Sequence, residues 1–593
     1  MADAKLLLDR HPQHCASCAV NGKCALQDLV AEEPQLSNVP WNARPRPVDV
    51  EHKDLSSIAI LRDMDKCIEC GLCVEACGPH GQNVNAIGFA GRGAATMPVT
   101  VFDRPLHETD CISCGQCTVV CPVGALVEKP AWQHVLAMLD SRRRPTVVQV
   151  APATRVAISE EFGLPPGTVS TGRLVNALRA VGFDFVFDTN FTADLTVMEE
   201  GSELLSRVSK GGVLPMFTSC CPAWINYVEL KRPDLLPHLS TTKSPQQMHG
   251  ALTKRGPFAA ALGPESPEPF VVAVMPCTAK KDESERPAAR GDVDAVITTR
   301  ELGRMLRARK IAFASLANDG AFDNPLGESS GAAELFGASG GVLEAALRTA
   351  HHLAGLPGQF SLELKELRGV QRGIKELDVA GLGRVAACNG IASAIELLAN
   401  EEWRRRFVMI EVMSCVGGCL GGGGEPKSTD PDILRKRAKS IYDIDSDSQR
   451  RSAHDNVQVR HLYDTFLQSP LSHRSETLLH TVFAARNGQR DFLARFLGCV
   501  DARDGDGAAR LFADDGVWDT NSDFGILRGR AAIRQLINER LPPAGQGPAL
   551  RRHRFKVPSD DSLDVISASG AHVCFDVHLN DQKQITLLVK KST

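Results

Sequence analysis

Two copies of one cysteine spacing restrict how the first quarter of the chain can fold. The segments CIECGLCVEAC and CISCGQCTVVC both follow the pattern C-x2-C-x2-C-x3-C. Three cysteines two residues apart can surround one iron–sulfur cube, while the fourth lies farther along a short helix and reaches a second cube. We therefore predict two 4Fe–4S clusters, each completed by a cysteine of the other run. The expected ligand sets are Cys67, Cys70 and Cys73 with Cys121, and Cys111, Cys114 and Cys117 with Cys77.

The two runs resemble those of bacterial two-cluster ferredoxins. Pro122 follows the second run, as in those proteins, whereas Gly78 stands at the corresponding place in the first. This departure changes no cluster ligand. Zinc is the alternative occupant of a four-cysteine site, but two complete runs of this kind favour iron–sulfur clusters.

A third candidate metal site lies upstream, in HPQHCASCAVNGKC. Alone, one histidine and three cysteines at this spacing could bind zinc. Beside two ferredoxin-like runs, the segment resembles the part of complex I and of hydrogenases in which such a set holds a cube. The expected ligands are His11, Cys15, Cys18 and Cys24, with His14 as the alternative to His11.

Size and composition limit the functions to be considered. The chain has 593 residues, enough for roughly three to five domains, and a net charge of −4, which argues against nucleic-acid binding. No apolar run approaches the ~18 residues of a membrane span, and the first residues lack the pattern of a signal peptide. Because many of the 19 cysteines are clustered, we expect a cytoplasmic protein whose cysteines bind metal.

From about residue 145, short apolar runs alternate with helical segments, which predicts parallel α/β organisation. PTVVQVAPATR predicts a buried strand followed by a loop, and VDAVITTREL predicts a strand that enters a helix. Cysteines follow predicted strands at Cys277, Cys415 and Cys419, and ligands bind at such strand ends in open α/β sheets. With Cys221 they could hold one more cube, although a buried cysteine is also a common small apolar residue.

Three segments resemble the signatures of the FeFe-hydrogenases: TSCCPAW (218–224), MPCTAKKDE (275–283) and EVMSCVGGCLGGGGEP (411–426). The likeness covers roughly residues 8–480. It implies an H-cluster, which is a 4Fe–4S cube joined through one cysteine to a two-iron unit with CO, cyanide and a bridging dithiolate. By motif position the cube ligands are Cys221, Cys277, Cys415 and Cys419, and Cys419 bridges to the two-iron unit. Glu425 stands where the family usually has glutamine.

The resemblance also assigns residues to the pocket around the two-iron unit. Lys280 would donate to one cyanide, and the segment VAPATR would line the other, with Ala153 at a position that is often serine in the family. Without the resemblance, Lys280 would begin a solvated charge run, KKDE, and Met413 would be a core residue. The expected pocket residues are Ala151, Pro152, Ala153, Gln246, Pro276, Lys280, Phe336 and Met413.

The neighbouring cysteines Cys220 and Cys221 point in different directions, so only one of them is expected to bind the cube. The resemblance makes Cys220 a proton carrier, for which a thiol pKa of ~8.5 is suitable. The segment ADLTVMEEGSELLSR predicts a helix. The alternative to a role in proton transfer is an exposed helix face with an i,i+4 ion pair. The implied proton route runs from Cys220 through a water to Glu200, Ser240 and Glu203, with Arg207 holding the outer carboxylate.

The last part of the chain resembles the SnoaL-like, nuclear transport factor 2-like α+β cone. Helical segments are followed by AHVCFDVHL and QITLLVKK, which predict strands of a curved antiparallel sheet. Such domains either hold a small apolar ligand or dimerise through the sheet. Asp514, His553 and Asp576 are candidate pocket residues, or else ordinary surface residues, and we assign them no catalysis.

The sequence thus predicts a multidomain α/β and α+β protein, with two lobes of a central α/β domain around the H-cluster. The expected function is 2H⁺ + 2e⁻ ⇌ H₂, with ferredoxin or flavodoxin as electron partner and maturation proteins that supply the two-iron unit. A slow sensor of hydrogen or redox state, signalling through the C-terminal domain, and an iron–sulfur assembly scaffold are the alternatives. The expected parts are residues 1–45 (histidine–cysteine cluster segment and linker), 56–135 (two-cluster ferredoxin-like), 145–428 (hydrogenase), 429–480 (small-subunit-like) and 485–593 (SnoaL-like).

Overall fold

The computed structural model describes most of the chain up to residue 486 and six strands after it. The described residues are 5, 7–8, 11–12, 14–36, 53–93, 96–357, 360–486, 517–520, 525–528, 550–551, 566–567, 573–579 and 585–591. Within these ranges, no helix is both long enough and apolar enough to cross a membrane.

The two ferredoxin-like runs adopt the same backbone conformation. A residue between the first two cysteines has a positive φ in each run, 59° at Glu69 and 60° at Ser113. A glycine after the second cysteine does too, with φ of 76° at Gly71 and 71° at Gly115. Glycine adopts this left-handed conformation without a steric penalty, and in both runs it begins a short helix that carries the third cysteine.

The first 128 residues contain two small antiparallel sheets, one of order β1-β2-β5 and one of β3 with β4. The elements are α1 (Ala25–Glu32), β1 (Lys53–Asp54), β2 (Ile60–Asp63), α2 (Leu72–Cys77), β3 (Ile87–Ala90), β4 (Met97–Thr100), α3 (Gln116–Val120) and β5 (Leu126–Glu128).

The first lobe of the central region is built around one parallel sheet. Its elements are α4 (Trp132–Ser141), β6 (Thr146–Val150), α5 (Pro152–Ala157), α6 (Thr171–Val181), β7 (Phe185–Asp188), α7 (Thr189–Lys210), β8 (Met216–Phe217), α8 (Pro222–Lys231), α9 (Pro245–Arg255), α10 (Pro257–Leu262), β9 (Phe270–Met275), α11 (Ala279–Ser284), β10 (Ala295–Thr298) and α12 (Thr299–Ala308). The sheet has the order β10-β9-β6-β7, and all its strands are parallel. Every residue of β6 and β9 is buried, as expected for strands covered on both faces.

A second four-stranded sheet has the order β11-β12-β13-β8 and is parallel except for β11. The remaining elements up to residue 479 are α13 (Gly331–Glu334), α14 (Gly341–Leu353), β11 (Gly373–Val379), β12 (Gly383–Asn389), α15 (Ile391–Leu398), α16 (Trp403–Arg406), β13 (Met409–Met413), α17 (Pro431–Asp447), α18 (Val457–Leu462) and α19 (His473–Leu479). In the sequence, β8 lies between β7 and β9 of the first sheet, so the chain passes from the first sheet to the second and back again.

The prediction for PTVVQVAPATR was half right. The strand β6 forms, but a helix, α5, follows it where we expected a loop. Pro152 is the first residue of that helix. Proline is favoured there because its missing N–H would have no partner in the helix.

The described strands near the C-terminus are β14 (Val517–Thr520), β15 (Gly525–Arg528), β16 (Leu550–Arg551), β17 (Ile566–Ser567), β18 (Val573–Leu579) and β19 (Ile585–Lys591). β18 pairs with β19 in antiparallel fashion, as predicted from AHVCFDVHL and QITLLVKK. Asp514 and His553 lie outside the described residues, and only the backbone is described at Asp576, in β18.

Candidate active site and cluster sites

The cysteines of the ferredoxin-like runs group across the runs. Burial raises the pKa of Cys73 to about 12, and the neighbouring Cys67, Cys121 and Cys70 contribute to the shift. This is the set expected for the first cube. In the same way, burial raises the pKa of Cys114 well above its usual value, and the other members of the second expected set contribute: Cys117, Cys111 and Cys77.

Backbone N–H groups point at the sulfur atoms of these sets. Glu69 N donates to Cys67 Sγ at 3.3 Å, and Ala86 N donates to Cys77 Sγ at 3.2 Å. Among the described residues, no three His, Cys, Asp or Glu side chains converge as the ligands of one metal ion would.

The upstream cysteines line a cavity together with both candidate histidines. Its walls include His11, His14, Cys15, Cys18 and Cys24. His11 is buried, whereas His14 is exposed. The Nδ1 atom of His11 lies 3.0 Å from the carbonyl of Pro12, and if it donates there, Nε2 carries the lone pair of the ring. The arrangement favours His11 as the ligand.

Three strands of the central region deliver four cysteines to one place. Cys221 follows β8, Cys277 follows β9, and Cys415 and Cys419 follow β13. Burial raises the pKa of Cys277 to about 12, and Cys221 adds to the shift. The pKa of Cys419 rises because of burial and because Cys277 and Cys221 are near. The four residues expected from the resemblance are therefore neighbours.

The glycine-rich segment after Cys419 is packed so closely that side chains would collide. A Cβ atom added at Gly422 would lie 2.3 Å from the carbonyl oxygen of Pro276. One added at Gly423 would lie 2.3 Å from the carbonyl oxygen of Cys114, in the second ferredoxin-like run. This segment therefore fills the space between the four cysteines and the ferredoxin-like domain, and glycine is required there by packing.

Lys280 is buried, so the interpretation of KKDE as a solvated charge run is wrong. Its Nζ donates to both carboxylate oxygens of Glu283, at 3.1 and 3.0 Å, and to the carbonyl of Cys220 at 3.1 Å. Burial disfavours the charge, but Glu283, with smaller contributions from Cys220 and Cys277, outweighs it, and the pKa of Lys280 is raised. Glu283 also accepts from Ser244 and from the amide of Gln246. The lysine is thus an oriented buried cation.

Several expected pocket residues form one apolar cluster beside the four cysteines. Ala151, Cys220, Phe336 and Met413 belong to it, and Cys221 packs against it. Ala153 lies in an adjacent buried cluster with Leu420, which follows Cys419. The structure therefore brings the predicted wall and the predicted proton carrier together.

The residues of the expected proton route lie in order between the pocket and the surface. Glu200 accepts from Ser219 N at 3.3 Å, next to Cys220. Ser240 Oγ donates to Glu203 Oε2 at 2.8 Å. Arg207 donates to Glu203 Oε1 at 2.6 Å, forming the i,i+4 ion pair of the alternative interpretation. Glu200 and Glu203 are both buried, so the exposed helix face of that alternative is wrong.

Glu200 and Cys220, the two inner groups of the expected proton route, are protonated at neutral pH. Burial and the nearby charge of Glu203 raise the pKa of Glu200 to about 8, against the opposing effect of Ser219 and Ser240. Burial raises the pKa of the Cys220 thiol well above its usual value, with Glu200 adding to the shift. The expected thiol pKa of ~8.5 was too low because it neglected burial.

Comparison with known proteins identifies the family. The chain is 43% identical over 498 residues to the NADP-reducing hydrogenase subunit HndD of Solidesulfovibrio fructosivorans, covering 81% of this chain and 83% of that protein. It is 38% identical over 491 residues to iron hydrogenase 1 of Clostridium pasteurianum, covering 80% and 84%. The chain belongs to the iron-only hydrogenases. It is therefore an oxidoreductase.

Family models assign the parts of this hydrogenase. Residues 144–423 match "Iron only hydrogenase large subunit, C-terminal domain", and residues 431–486 match "Iron hydrogenase small subunit". The N-terminal matches are "NADH-ubiquinone oxidoreductase-G iron-sulfur binding region" at 4–33 and "4Fe-4S dicluster domain" at 66–125. Residues 483–587 match "SnoaL-like domain".

The fold of the hydrogenase region also matches a solved structure. An apo [FeFe]-hydrogenase HydA1 variant of Chlamydomonas reinhardtii is 41% identical, with a TM-score of 0.53. The match covers 60% of this chain and 99% of that one. The family's cofactor fits the residues present here: four neighbouring thiols, a glycine segment without side chains, and a buried lysine beside an apolar wall.

Sequence reasoning missed contacts that only the fold creates. Glu283, the last residue of MPCTAKKDE, orients Lys280, and its position three residues later in a helix could have indicated this. Glu199 accepts from Tyr463 Oη at 2.7 Å and lies 3.1 Å from His480 Nε2, which fastens the small-subunit segment to α7. No local pattern links residues so distant in the sequence.

Proposed function

We propose that this hydrogenase catalyses 2H⁺ + 2e⁻ ⇌ H₂ at an H-cluster bound by Cys221, Cys277, Cys415 and Cys419. The observation that supports the proposal is that Glu200 accepts from Ser219 N beside Cys220, and that Ser240 and Arg207 both donate to Glu203. When bound, the cluster supplies the open iron at which electrons and protons combine.

The chain's own residues would move the proton in defined steps. Arg207 holds Glu203 close to the surface, where the carboxylate can take a proton from solvent. The hydroxyl of Ser240 donates to Glu203 and lies close enough to Glu200 to affect its pKa, so it can relay the proton inward. Once the Cys220 thiol has given its own proton to the site, Glu200 returns a proton to the sulfur through a water. A group with a pKa near the working pH is suited to this exchange.

The pocket residues would position the two-iron unit. Lys280, fixed by Glu283, presents its ammonium group to an anionic ligand such as cyanide. Ala151, Pro152, Ala153, Gln246, Pro276, Phe336 and Met413 would exclude water and fix orientation. With Ala153 in place of the family's frequent serine, one hydroxyl donor is absent on that side.

Electrons would reach this site through three accessory 4Fe–4S clusters. Their proposed ligands are the two ferredoxin-like sets and the set of His11, Cys15, Cys18 and Cys24. We propose the division into residues 1–45, 56–135, 145–428, 429–480 and 485–593 as the matching functional units. The proposed location is the cytoplasm, where thiols stay reduced and ready to bind clusters.

A ferredoxin or flavodoxin is the proposed electron partner. At pH 7, a shift of about 59 mV per pH unit places the reduction potential of the hydrogen couple at about −0.41 V. The reduction potential of plant-type ferredoxins is about −400 mV. The similarity to HndD, which is named as a subunit of an NADP-reducing enzyme, supports an NADP-linked subunit as a second candidate. Reduction of ferredoxin by the purified chain under hydrogen would support the first candidate, whereas reduction of NADP only after an NADP-linked subunit is added would support the second. Maturation proteins would supply the two-iron unit.

The function is tested by hydrogen evolution from reduced viologen, on protein matured and purified without oxygen. Rapid evolution, with infrared bands of metal-bound CO and cyanide, is the expected result. The bands with only slow evolution would favour the alternative of a hydrogen or redox sensor that signals through residues 485–593, by ligand binding or dimerisation. Absence of the bands after maturation would reject the H-cluster.

A further inference from the structure

Gln116 crosses from the second ferredoxin-like run to the hydrogenase site. It lies between Cys114 and Cys117, and its Nε2 donates to Cys415 Sγ at 3.2 Å and to the carbonyl oxygen of Gly421 at 2.9 Å. A carbonyl oxygen only accepts, so the NH₂ end of the amide must face Gly421. The same NH₂ group therefore also donates a hydrogen bond to the sulfur atom of Cys415.

The position of Gln116 is fixed by the residues around it. A Cβ atom added at the preceding Gly115 would lie 2.3 Å from Thr278 Oγ1, so the two domains are in close contact at this point. Thr278 Oγ1 donates to the carbonyl of Ser113 at 2.7 Å, and Thr118 Oγ1 donates to the carbonyl of Gly423 at 3.1 Å. These contacts hold the amide against Cys415 without depending on Gln116 itself.

The accessory set and the central set meet at this contact. A Cβ atom added at Gly423, four residues after Cys419, would lie 2.3 Å from the carbonyl oxygen of Cys114, a member of the accessory set. Gln116 therefore reaches Cys415 across a closely packed interface between the two sets. When a cube is bound, Cys415 Sγ is a thiolate ligand, and an N–H group directed at it interacts with the charge of that cube.

We propose that Gln116 is a positioning residue that raises the reduction potential of the cube on Cys415 and so favours electron transfer into it from the accessory cube. The inference rests on the proposed function, because it assumes a cube at the four central cysteines. Adding an electron makes the cube more negative, and a hydrogen bond to a ligand sulfur stabilises that state. Gln116 is not a ligand and touches no substrate.

The test uses full-length protein produced without maturation proteins, so that it carries cubes but no two-iron unit. The midpoint potential of each cube is measured by a redox titration followed by electron paramagnetic resonance. The signal of the cube on Cys415 is identified by its loss in Cys277→Ala. Gln116→Leu removes the donor at similar volume, and Gln116→Glu replaces it with a negative charge. Asn226→Leu is the matched control, because the Asn226 amide donates to the carbonyl of Ile112 in the same ferredoxin-like run, at 3.1 Å, without touching Gln116 or a sulfur atom.

We expect Gln116→Leu to make reduction of this cube about tenfold less favourable, since a hydrogen bond to a charged group contributes about that factor. For one electron this is a decrease of about 59 mV. Gln116→Glu should lower the potential further, and Asn226→Leu should change the reduction equilibrium less than twofold. The infrared bands of the matured Gln116→Leu protein should shift as well.

A change of less than twofold in Gln116→Leu, or equal changes in Gln116→Leu and Asn226→Leu, would overturn the inference. Iron content distinguishes this from failure of the proposed function. Four cubes correspond to about 16 iron atoms per chain. If wild-type protein and Cys277→Ala hold the same iron, no cube occupies the central cysteines, and it is the proposed function that fails.

Discussion

Ser240 donates its hydroxyl to Glu203 and lies beside Glu200, so one short side chain connects the inner and outer carboxylates of α7. Thr242 Oγ1 donates to the same carboxylate oxygen, Glu203 Oε2, at 3.3 Å, whereas Ser240 is hydrogen-bonded to Glu200 as well and lowers the pKa of that carboxyl. The two hydroxyls therefore differ in what they connect, which makes them a matched pair for testing proton transfer.

Ser240→Ala should lower hydrogen evolution by about 10²-fold, because loss of a positioned proton-transfer group typically has this effect or a larger one. Thr242→Val, which leaves the connection between the carboxylates intact, should lower it less than threefold. The measurement is the rate with reduced viologen, normalised to the infrared intensity of the assembled cluster. Equal losses in the two variants would show that the hydroxyls act only by stabilising Glu203.

Cys220→Ala should retain the cluster but lose nearly all turnover. The thiol is buried and protonated, and Glu200 lies near enough to contribute to the rise in its pKa. Iron content and the CO and cyanide bands should match those of the wild type, which separates loss of a proton carrier from loss of the cofactor. Activity above about a tenth of the wild-type rate would contradict the proposed route.

The cysteine spacing alone was sufficient to predict how the accessory cysteines group. A fourth cysteine displaced along a helix can reach only the neighbouring set, and the fold brings Cys77 and Cys121 to the sets expected of them. The parallel strands were also predictable, because runs such as FVVAVM are too apolar to lie at a surface.

Burial of charged residues was not predictable in the same way. KKDE is typical of a solvated turn, and only the fold shows that Glu283 compensates Lys280 and that Glu301 pairs with Lys281 at 2.8 Å. Gln116 was equally invisible, since its partner Cys415 is 299 residues away in the sequence. Local patterns report on helices, strands and turns, whereas these pairings depend on how domains meet.

Glu283→Gln should disturb the cyanide side of the pocket. The substitution keeps the shape but removes the charge that holds Lys280 as a cation, and breaking a buried ion pair is destabilising by about 3–5 kcal/mol. We expect a shifted cyanide band in the infrared spectrum and a lower thermal midpoint. Glu285→Gln, at an exposed position in the same segment, is the control and should change neither. An unshifted cyanide band in Glu283→Gln would mean that Lys280 does not depend on this carboxylate.

His249 should make the protein sensitive to acid. It is fully buried in α9 beside Phe187, and burial lowers the pKa of its imidazole to about 3. In the unfolded chain the histidine pKa is ~6.5. Between these values the unfolded state binds a proton that the folded state does not, so the free energy of unfolding falls as the pH decreases below ~6.5, by up to ~1.4 kcal/mol per pH unit.

His249→Gln removes this titrating group, so the free energy of unfolding should fall less steeply as the pH decreases below ~6.5. The substitution also lowers stability at neutral pH, because it disturbs the packing against Phe187. The measurement is the thermal midpoint at pH 7.5, 6.5 and 5.5, under anaerobic conditions. His134→Gln, at an exposed position in α4, should keep the wild-type slope. If His249→Gln loses as much stability between pH 6.5 and 5.5 as the wild type does, acid sensitivity arises elsewhere, because a group that no longer titrates cannot contribute to the slope.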